Sequence, residues 1–353
     1  MLSGLNEVYI GSRVTAIPSL LTQISHRRSI RPSRTGVLGQ GESARMASIL
    51  VVGGGGFVGL HTVRRLAAEG HSVWATHTPK RQVPAIAGVH WIAGDLTSSQ
   101  FTDEWPQPCE NILFLAQSRL WRQFPDNAAD VFAVNLRALH QTVVFALETK
   151  AQRCIVTTTG SVYTTLQQAA RENDPIDLQA GRSFYVASRL AGEILLGPYA
   201  SLMPIIVLRL FMPYGQGMHR DLLLPQLVKR IQEGQPISLH GQEGLRANPV
   251  EASEVAEVLS RCLSLRRSTT LNVAGPEELT LREISIQLGK ALGREARFEI
   301  RPEERPPVIV GDTTFLRTTL GWAPEICFAA GVERWLGRSA AIQGASCKSP
   351  QAA

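Results

Sequence analysis

Tyr185 and Arg189 stand four residues apart in "SFYVASRLAGEILL", whose apolar spacing predicts a helix. Residues i and i+4 share a helix face, so a phenol and a guanidinium would lie side by side. A nearby positive charge favours the phenolate, which suits such a pair to accepting a proton from a hydroxyl group. The arginine limits that chemistry. It keeps its own proton inside a protein, so it can hold charge and donate hydrogen bonds but cannot relay.

A second constellation lies upstream. "VVGGGGFVG" spaces Gly53, Gly56 and Gly59 between an apolar run of buried-strand type, "SILVV", and a segment of helical spacing. A diphosphate approaches a helix N-terminus closely only where side chains are absent, and there the free N–H groups and the helix dipole favour its charge. The following strand, "SVWAT", leads to no acidic residue that would take a ribose 2′-hydroxyl. It leads instead to His77, Lys80 and Arg81, cations suited to a 2′-phosphate, so the pattern favours NADP over NAD. The competing reading is a solvated basic loop. Asp95, just past the third strand in "GDL", could reach the adenine or its ribose, or could simply make a turn.

These residues need elements to position them. Strands predicted at "SILVV", "SVWAT", "VHWIAG", "ILFLA", "RCIVTTT" and "PIIVLRL" alternate with helical segments, including a long one over residues 128–150. Such alternation predicts an α/β fold, a doubly wound parallel Rossmann sheet. Beyond Tyr214 the pattern changes to helices around "ISLHG" and a proline-rich stretch, which reads as a smaller mixed α/β C-terminal substrate lobe. The expected organisation is a basic tail over 1–46, a dinucleotide-binding domain over 47–214, a substrate lobe over 215–336 and a flexible tail over 337–353. The tail has either the composition of an organelle transit peptide or that of sequence ahead of a start at Met46.

Composition excludes several classes. With 44% hydrophobic and 19% charged residues the 353-residue chain reads as a soluble globular protein without a run long enough to span a membrane. The net charge of +6 is concentrated at the start, where six arginines face two glutamates in residues 1–45, so no nucleic-acid surface is indicated on the body. Five scattered cysteines and eight dispersed histidines suggest reduced thiols, a cytoplasmic setting and no metal site.

Taken in order, these motifs resemble the extended short-chain dehydrogenase/reductase superfamily, the NAD-dependent epimerase/dehydratase group, over about residues 47–336. "VGGGGFVG" resembles its glycine motif, "GDL" its adenine-side aspartate, and "FLAQS" its cofactor-lining stretch after the fourth strand. "FAVNLRA" places Asn135 at its helix asparagine. "TTTGSVY" puts Thr159 at its catalytic Ser/Thr, "YVASR" corresponds to Tyr-x-x-x-Lys, and "RLFMPYGQG" and "LGWAP" resemble later segments.

The resemblance implies Tyr185 as acid/base, Thr159 as the hydrogen-bonding partner of the substrate oxygen and Arg189 in the lysine's place. It implies cofactor contacts at Gly53, Gly56, Phe57, Val58 and Gly59 in the turn, and at His77, Arg81, Asp95, Leu96, Ala116 and Asn135 around it. Substrate contacts fall to Ser161, Met212 and Arg246, with Arg209 and Tyr214 as pocket or structural residues. Three departures stand out: Arg189; Met212, where sugar-nucleotide enzymes commonly have asparagine; and "RANPVEASEV", whose register differs from Arg-Asp-Phe-x-x-Val-Asp-Asp by about one residue.

The expected function is hydride exchange at a hydroxyl or carbonyl carbon of a polar small molecule, a nucleotide sugar among the candidates, using NADP or NAD. A carbonyl reductase consuming NADPH and a non-catalytic dinucleotide-binding protein are the alternatives. A homodimer through helices flanking the tyrosine is also implied.

Overall fold

The computed structural model describes residues 46–98, 100–163, 167–178, 183–301 and 306–337. The expected basic tail, apart from Met46, and the expected C-terminal tail, apart from Gly337, lie outside the described residues.

The chain opens with β1 Ser48–Val52, α1 Phe57–Ala68, β2 Ser72–His77, β3 Val89–Ala93 and β4 Asn111–Phe114. It continues with α2 Ala128–Phe132, a π-helical turn Ala133–Ala138, α3 Leu139–Glu148, β5 Arg153–Thr159, α4 Phe184–Leu196 and β6 Ile205–Leu210. All six strands expected from the apolar runs are present. Then follow β7 Pro213–Tyr214, α5 Leu223–Gln232, β8 Ile237–His240, β9 Arg246–Ala247, β10 Val250–Glu251, α6 Ala252–Arg261 and β11 Thr269–Val273. Last come β12 Leu279–Thr280, α7 Leu281–Leu292, β13 Phe298–Arg301, β14 Val308–Ile309, α8 Thr314–Leu320 and α9 Phe328–Trp335.

The central sheet has seven parallel strands in the order β11-β6-β5-β4-β1-β2-β3. Both faces of β5 and β6 are buried, which is why those strands read as continuous apolar runs rather than alternating ones. From β1 the chain winds one way to β2 and β3, then returns to build β4, β5 and β6 on the other side. The reversal lies between β1 and β4, and in an open α/β sheet a ligand crevice forms at the C-terminal ends of such strands.

The sequence boundary at residue 214 does not divide the layers. β11 pairs with β6 throughout its length. Helix α6 places Val255, Val258 and Leu259 in one apolar cluster with Ile49, Val51 and Leu66, and Leu316 of α8 joins them. The segment expected to form only the second lobe therefore also completes the Rossmann layer, because burying the sheet's β6 edge and one face of α1 requires it. The second lobe proper gathers α5, α7 and α9 around Tyr214, Leu227, Ile284 and Val332. Helix α7 begins with a reciprocal Thr280/Glu283 capping box and ends at left-handed Gly293.

Arg209 has a structural role. Its guanidinium meets Glu193 at 2.6 Å, Glu193 accepts from Thr158 Oγ1 at 2.6 Å, and Arg209 also donates to the Tyr163 hydroxyl, so β5, β6 and α4 are tied through one buried network. Among the cysteines, Cys109, Cys154 and Cys262 are buried free thiols. Cys327 is disulfide-bonded, a departure from the expectation of reduced thiols throughout. No metal-ligating cluster and no helix long and apolar enough to cross a membrane occurs among the described residues.

Candidate active site

The glycine turn lies at the end of β1 and is packed too closely for side chains. Gly53 has φ +86°, and a Cβ there would lie 2.8 Å from the backbone of Ala116, just beyond β4. A Cβ on Gly59 would come within 2.2 Å of the Gly53 carbonyl oxygen, so α1 can start where it does only with glycine at that position. The Gly53 N–H is held by Thr76 Oγ1 at 2.8 Å, a contact that sequence reasoning missed because it crosses to the neighbouring strand. Gly56 caps α1 without a side-chain hydrogen bond, and no acidic residue occupies the first turn, where Phe57, Val58 and Gly59 lie. The N–H groups of that turn have no i−4 acceptors within the helix, so they suit an anionic group.

The cations found at the end of β2 border this turn. A Cβ on Gly55 would lie 2.6 Å from His77 Cβ and 3.4 Å from Arg81 Cδ. His77 also packs edge-on against Trp91, and its Nδ1 lies 3.0 Å from the Thr78 carbonyl oxygen. Asp95 is engaged in its own turn: one carboxylate oxygen accepts from Thr97 N at 2.9 Å and Thr97 Oγ1 at 2.7 Å. The Thr97 backbone and hydroxyl donors hold its carboxyl below the usual aspartate value. Leu96 packs against the apolar core beside it.

Helix α4 brings its arginine to the segment just past β4. Arg189 is 4% exposed, and its Nη2 donates to the Ala116 carbonyl and to Gln117 Oε1, each at 3.2 Å. Its Nε is buried without a partner. The guanidinium carbon lies 5.9 Å from the Tyr185 ring centroid, so the expected shared face exists. A buried cation with an unused donor, joined through Ala116 to a glycine turn with uncapped N–H groups, fits a dinucleotide: the turn would take the diphosphate, and Arg189 a ribose hydroxyl.

Asn135 fixes the wall between these parts. It is 1% exposed, its Oδ1 accepts from Ser118 N at 3.1 Å, and its Nδ2 donates to Ser188 Oγ at 2.9 Å. The asparagine thus ties the segment after β4 to α4 from within a π-helical turn. Ser188, its partner, gave no sequence signal. Thr159 ends β5 and accepts from Ser161 N at 3.2 Å at the start of the turn Gly160–Tyr163. Val162 and Tyr163 of that turn share an apolar cluster with Val186 and Leu190 of α4, against which Tyr185 packs.

The residues further out have other partners. Met212 has φ +45°, a left-handed conformation that asparagine adopts more readily than methionine, and its side chain packs on the second-lobe core. Arg246 bridges Glu278 at 3.1 Å and the Gln167 carbonyl at 3.0 Å. Tyr214 is wholly buried against Phe328, and burial pushes its hydroxyl well above the ordinary tyrosine value, which marks it as structural. An aromatic neighbour of the tyrosine was not foreseen: the Trp121 ring centroid lies 4.8 Å from that of Tyr185.

A dinucleotide-type turn and a Tyr-x-x-x-Arg helix meeting at the sheet's reversal define a short-chain dehydrogenase type of site. The family model for the NAD dependent epimerase/dehydratase family matches residues 49–274, and the chain belongs to that family. It is 24% identical over 306 residues to a dTDP-glucose 4,6-dehydratase of Streptomyces niveus, covering 80% of this chain and 90% of that protein. A probable UDP-glucuronate 4-epimerase of Rhizobium meliloti is 23% identical over 334 residues, with 81% and 95% covered. Among solved structures, UDP-glucuronic acid 4-epimerase from Bacillus cereus in complex with UDP-glucuronic acid and NAD aligns with a TM-score of 0.71 at 20% identity, covering 82% of this chain and 98% of that one.

Proposed function

We propose that this protein is an NAD(P)-dependent enzyme that exchanges a hydride at a hydroxyl-bearing carbon of a nucleotide sugar, as an epimerase or dehydratase. One observation carries the reading: the buried Arg189, beside Tyr185 on α4, donates to the carbonyl of Ala116, whose backbone packs directly against Gly53 of the uncapped glycine turn. The nicotinamide, when bound, supplies the hydride acceptor and donor. Tyr185 takes the proton of the substrate hydroxyl and later returns it, while Thr159 orients the oxygen that changes state. Arg189 holds positive charge beside the phenol and offers Nε to a ribose hydroxyl. The Gly53–Gly59 turn binds the diphosphate, and Asn135 keeps the segment after β4 against α4.

His77 and Arg81 beside Gly55 support a preference for NADP, although the Bacillus cereus relative is a complex with NAD. Ser161, Met212 and Arg246 remain candidates for the substrate side. The second partner is another copy of the chain: Ala187, Ala191, Ile194 and Leu195 are exposed at helical spacing on α4, an uncharged stripe suited to self-association.

The test is incubation of the protein with UDP-glucuronic acid, UDP-glucose or dTDP-glucose and either cofactor, with products followed by NMR. An epimer or dehydrated sugar formed without net accumulation of reduced cofactor, and lost in Tyr185→Phe while cofactor binding persists, is the expected result. Stoichiometric loss of NADPH with a simple carbonyl compound would favour the reductase. Cofactor binding without any turnover would leave a dinucleotide-binding protein.

A further inference from the structure

The segment between β4 and α2 lies against the acid/base helix along most of its length. Its start is held from two sides, by Arg189 on Gln117 and by Asn135 on Ser118. Ser118 Oγ in turn engages Asp130 of α2 and accepts from Leu120 N at 3.1 Å. Further along, Phe124 stacks on Phe184, the first residue of α4, with centroids 5.0 Å apart and planes 22° from parallel. Between these anchors Trp121 is half-buried, its plane tilted 47° to that of Tyr185. The Arg122 guanidinium carbon lies 4.4 Å from the Trp121 ring centroid, and Arg122 donates to the carbonyl of Asp221, on the approach to α5 in the second lobe. The indole is therefore fixed, next to the phenol and at the junction with the lobe that follows.

We propose that Trp121 is a specificity-determining residue. Its ring walls one side of Tyr185, packs against the apolar C–H face of the substrate's hexose ring and so sets which hydroxyl reaches the phenol. The hexose contact rests on the nucleotide-sugar reading above; the shielding of the phenol does not. An aromatic ring has the polarity and flatness to cover a pyranose face, and a contact of this kind is worth a several-fold change in affinity. Arg122 acts through the indole as a positioning residue.

The experiment uses Trp121→Ala and Trp121→Phe in the full chain and has two readouts. The first is the rate at which tetranitromethane nitrates Tyr185, resolved from the other tyrosines by peptide mass spectrometry. The second is the affinity of the cofactor-loaded protein for UDP and for UDP-glucose. The expected result is nitration about fivefold faster in Trp121→Ala and near wild type in Trp121→Phe. UDP-glucose should bind about fivefold more weakly to Trp121→Ala while the affinity for UDP stays unchanged, since UDP lacks the hexose.

Equal nitration rates in wild type and Trp121→Ala would overturn the shielding. Equal losses for UDP and UDP-glucose would overturn the specificity role, because they report a loosened site rather than a lost sugar contact. Wild-type protein that binds neither ligand would sink the nucleotide-sugar reading and the hexose contact with it, whereas the nitration rates would still decide whether Trp121 covers the phenol.

Discussion

A guanidinium can stand beside a phenol and stabilise its anion, yet it cannot pass a proton onward. In this site Arg189 is nearly sealed from solvent, and one of its nitrogens is shared between the Ala116 carbonyl and Gln117. An ammonium on a lysine stem lacks that planar fork, so Gln117 belongs with the arginine as much as Tyr185 does. Charge and hydrogen-bond geometry can be separated by substitution. Arg189→Met removes the charge at similar bulk and is expected to lower kcat by roughly 100-fold, the scale of losing assistance to a general base. The same variant should bind cofactor more weakly, as fluorescence titration would register. Arg189→Lys should recover cofactor affinity in part and kcat only partly, because its single nitrogen cannot reproduce the fork. Equal kcat in wild type and Arg189→Met would show that the guanidinium does not take part in the proton transfer.

At the scale of elements, the contacts that hold α6 against the segment leading into α9 carry a pH dependence. Glu254, in the first turn of α6, is 5% exposed and accepts from the backbone N–H groups of Glu325 and Ile326, just before α9. Burial pushes its carboxyl up to about 7, with Glu251 and Glu325 adding repulsion, while the two N–H donors pull the other way. The folded state thus keeps this proton to higher pH than the unfolded chain, whose carboxyl titrates near 4.5. Below that value both states are protonated and the group is neutral to stability. As pH rises from about 4.5 to about 7 the unfolded chain alone has released its proton, so stability falls and then levels off. The fall is at most about 3 kcal/mol, and Glu254→Gln should abolish it. Urea denaturation of both proteins at a series of pH values checks this. Parallel profiles would mean that Glu254 does not titrate differently on folding.

Over the whole molecule, what could be read ahead of the structure was what is local. The glycine turn was legible because strand, turn and helix lie within one short stretch, and Tyr185 and Arg189 because helix geometry alone brings i and i+4 together. Thr76, Ser188 and Trp121 were not, since each meets its partner across 23 to 64 residues of chain. The return of α6 and β11 to the sheet was missed for the same reason: periodicity names an element but not its neighbour. Surface stripes are a middle case, for helical spacing shows a face and the fold shows whether anything covers it. Along α4, Gly192 packs against Leu139 with 3.0 Å between its would-be Cβ and that side chain, so this face of the helix is buried. The other face carries Ala187, Ala191, Ile194 and Leu195, with Ile194 62% exposed and no charge among the four. A two-fold pairing of that stripe with its own copy would bury the same residues twice and place two α4 helices back to back. Sedimentation velocity is expected to give a dimer of the 38.5-kDa chain, and Ile194→Asp, which puts two carboxylates into the pairing, should convert it to a monomer whose circular dichroism remains that of the folded chain. A wild-type monomer, or a dimer indifferent to the aspartate, would remove α4 from the interface.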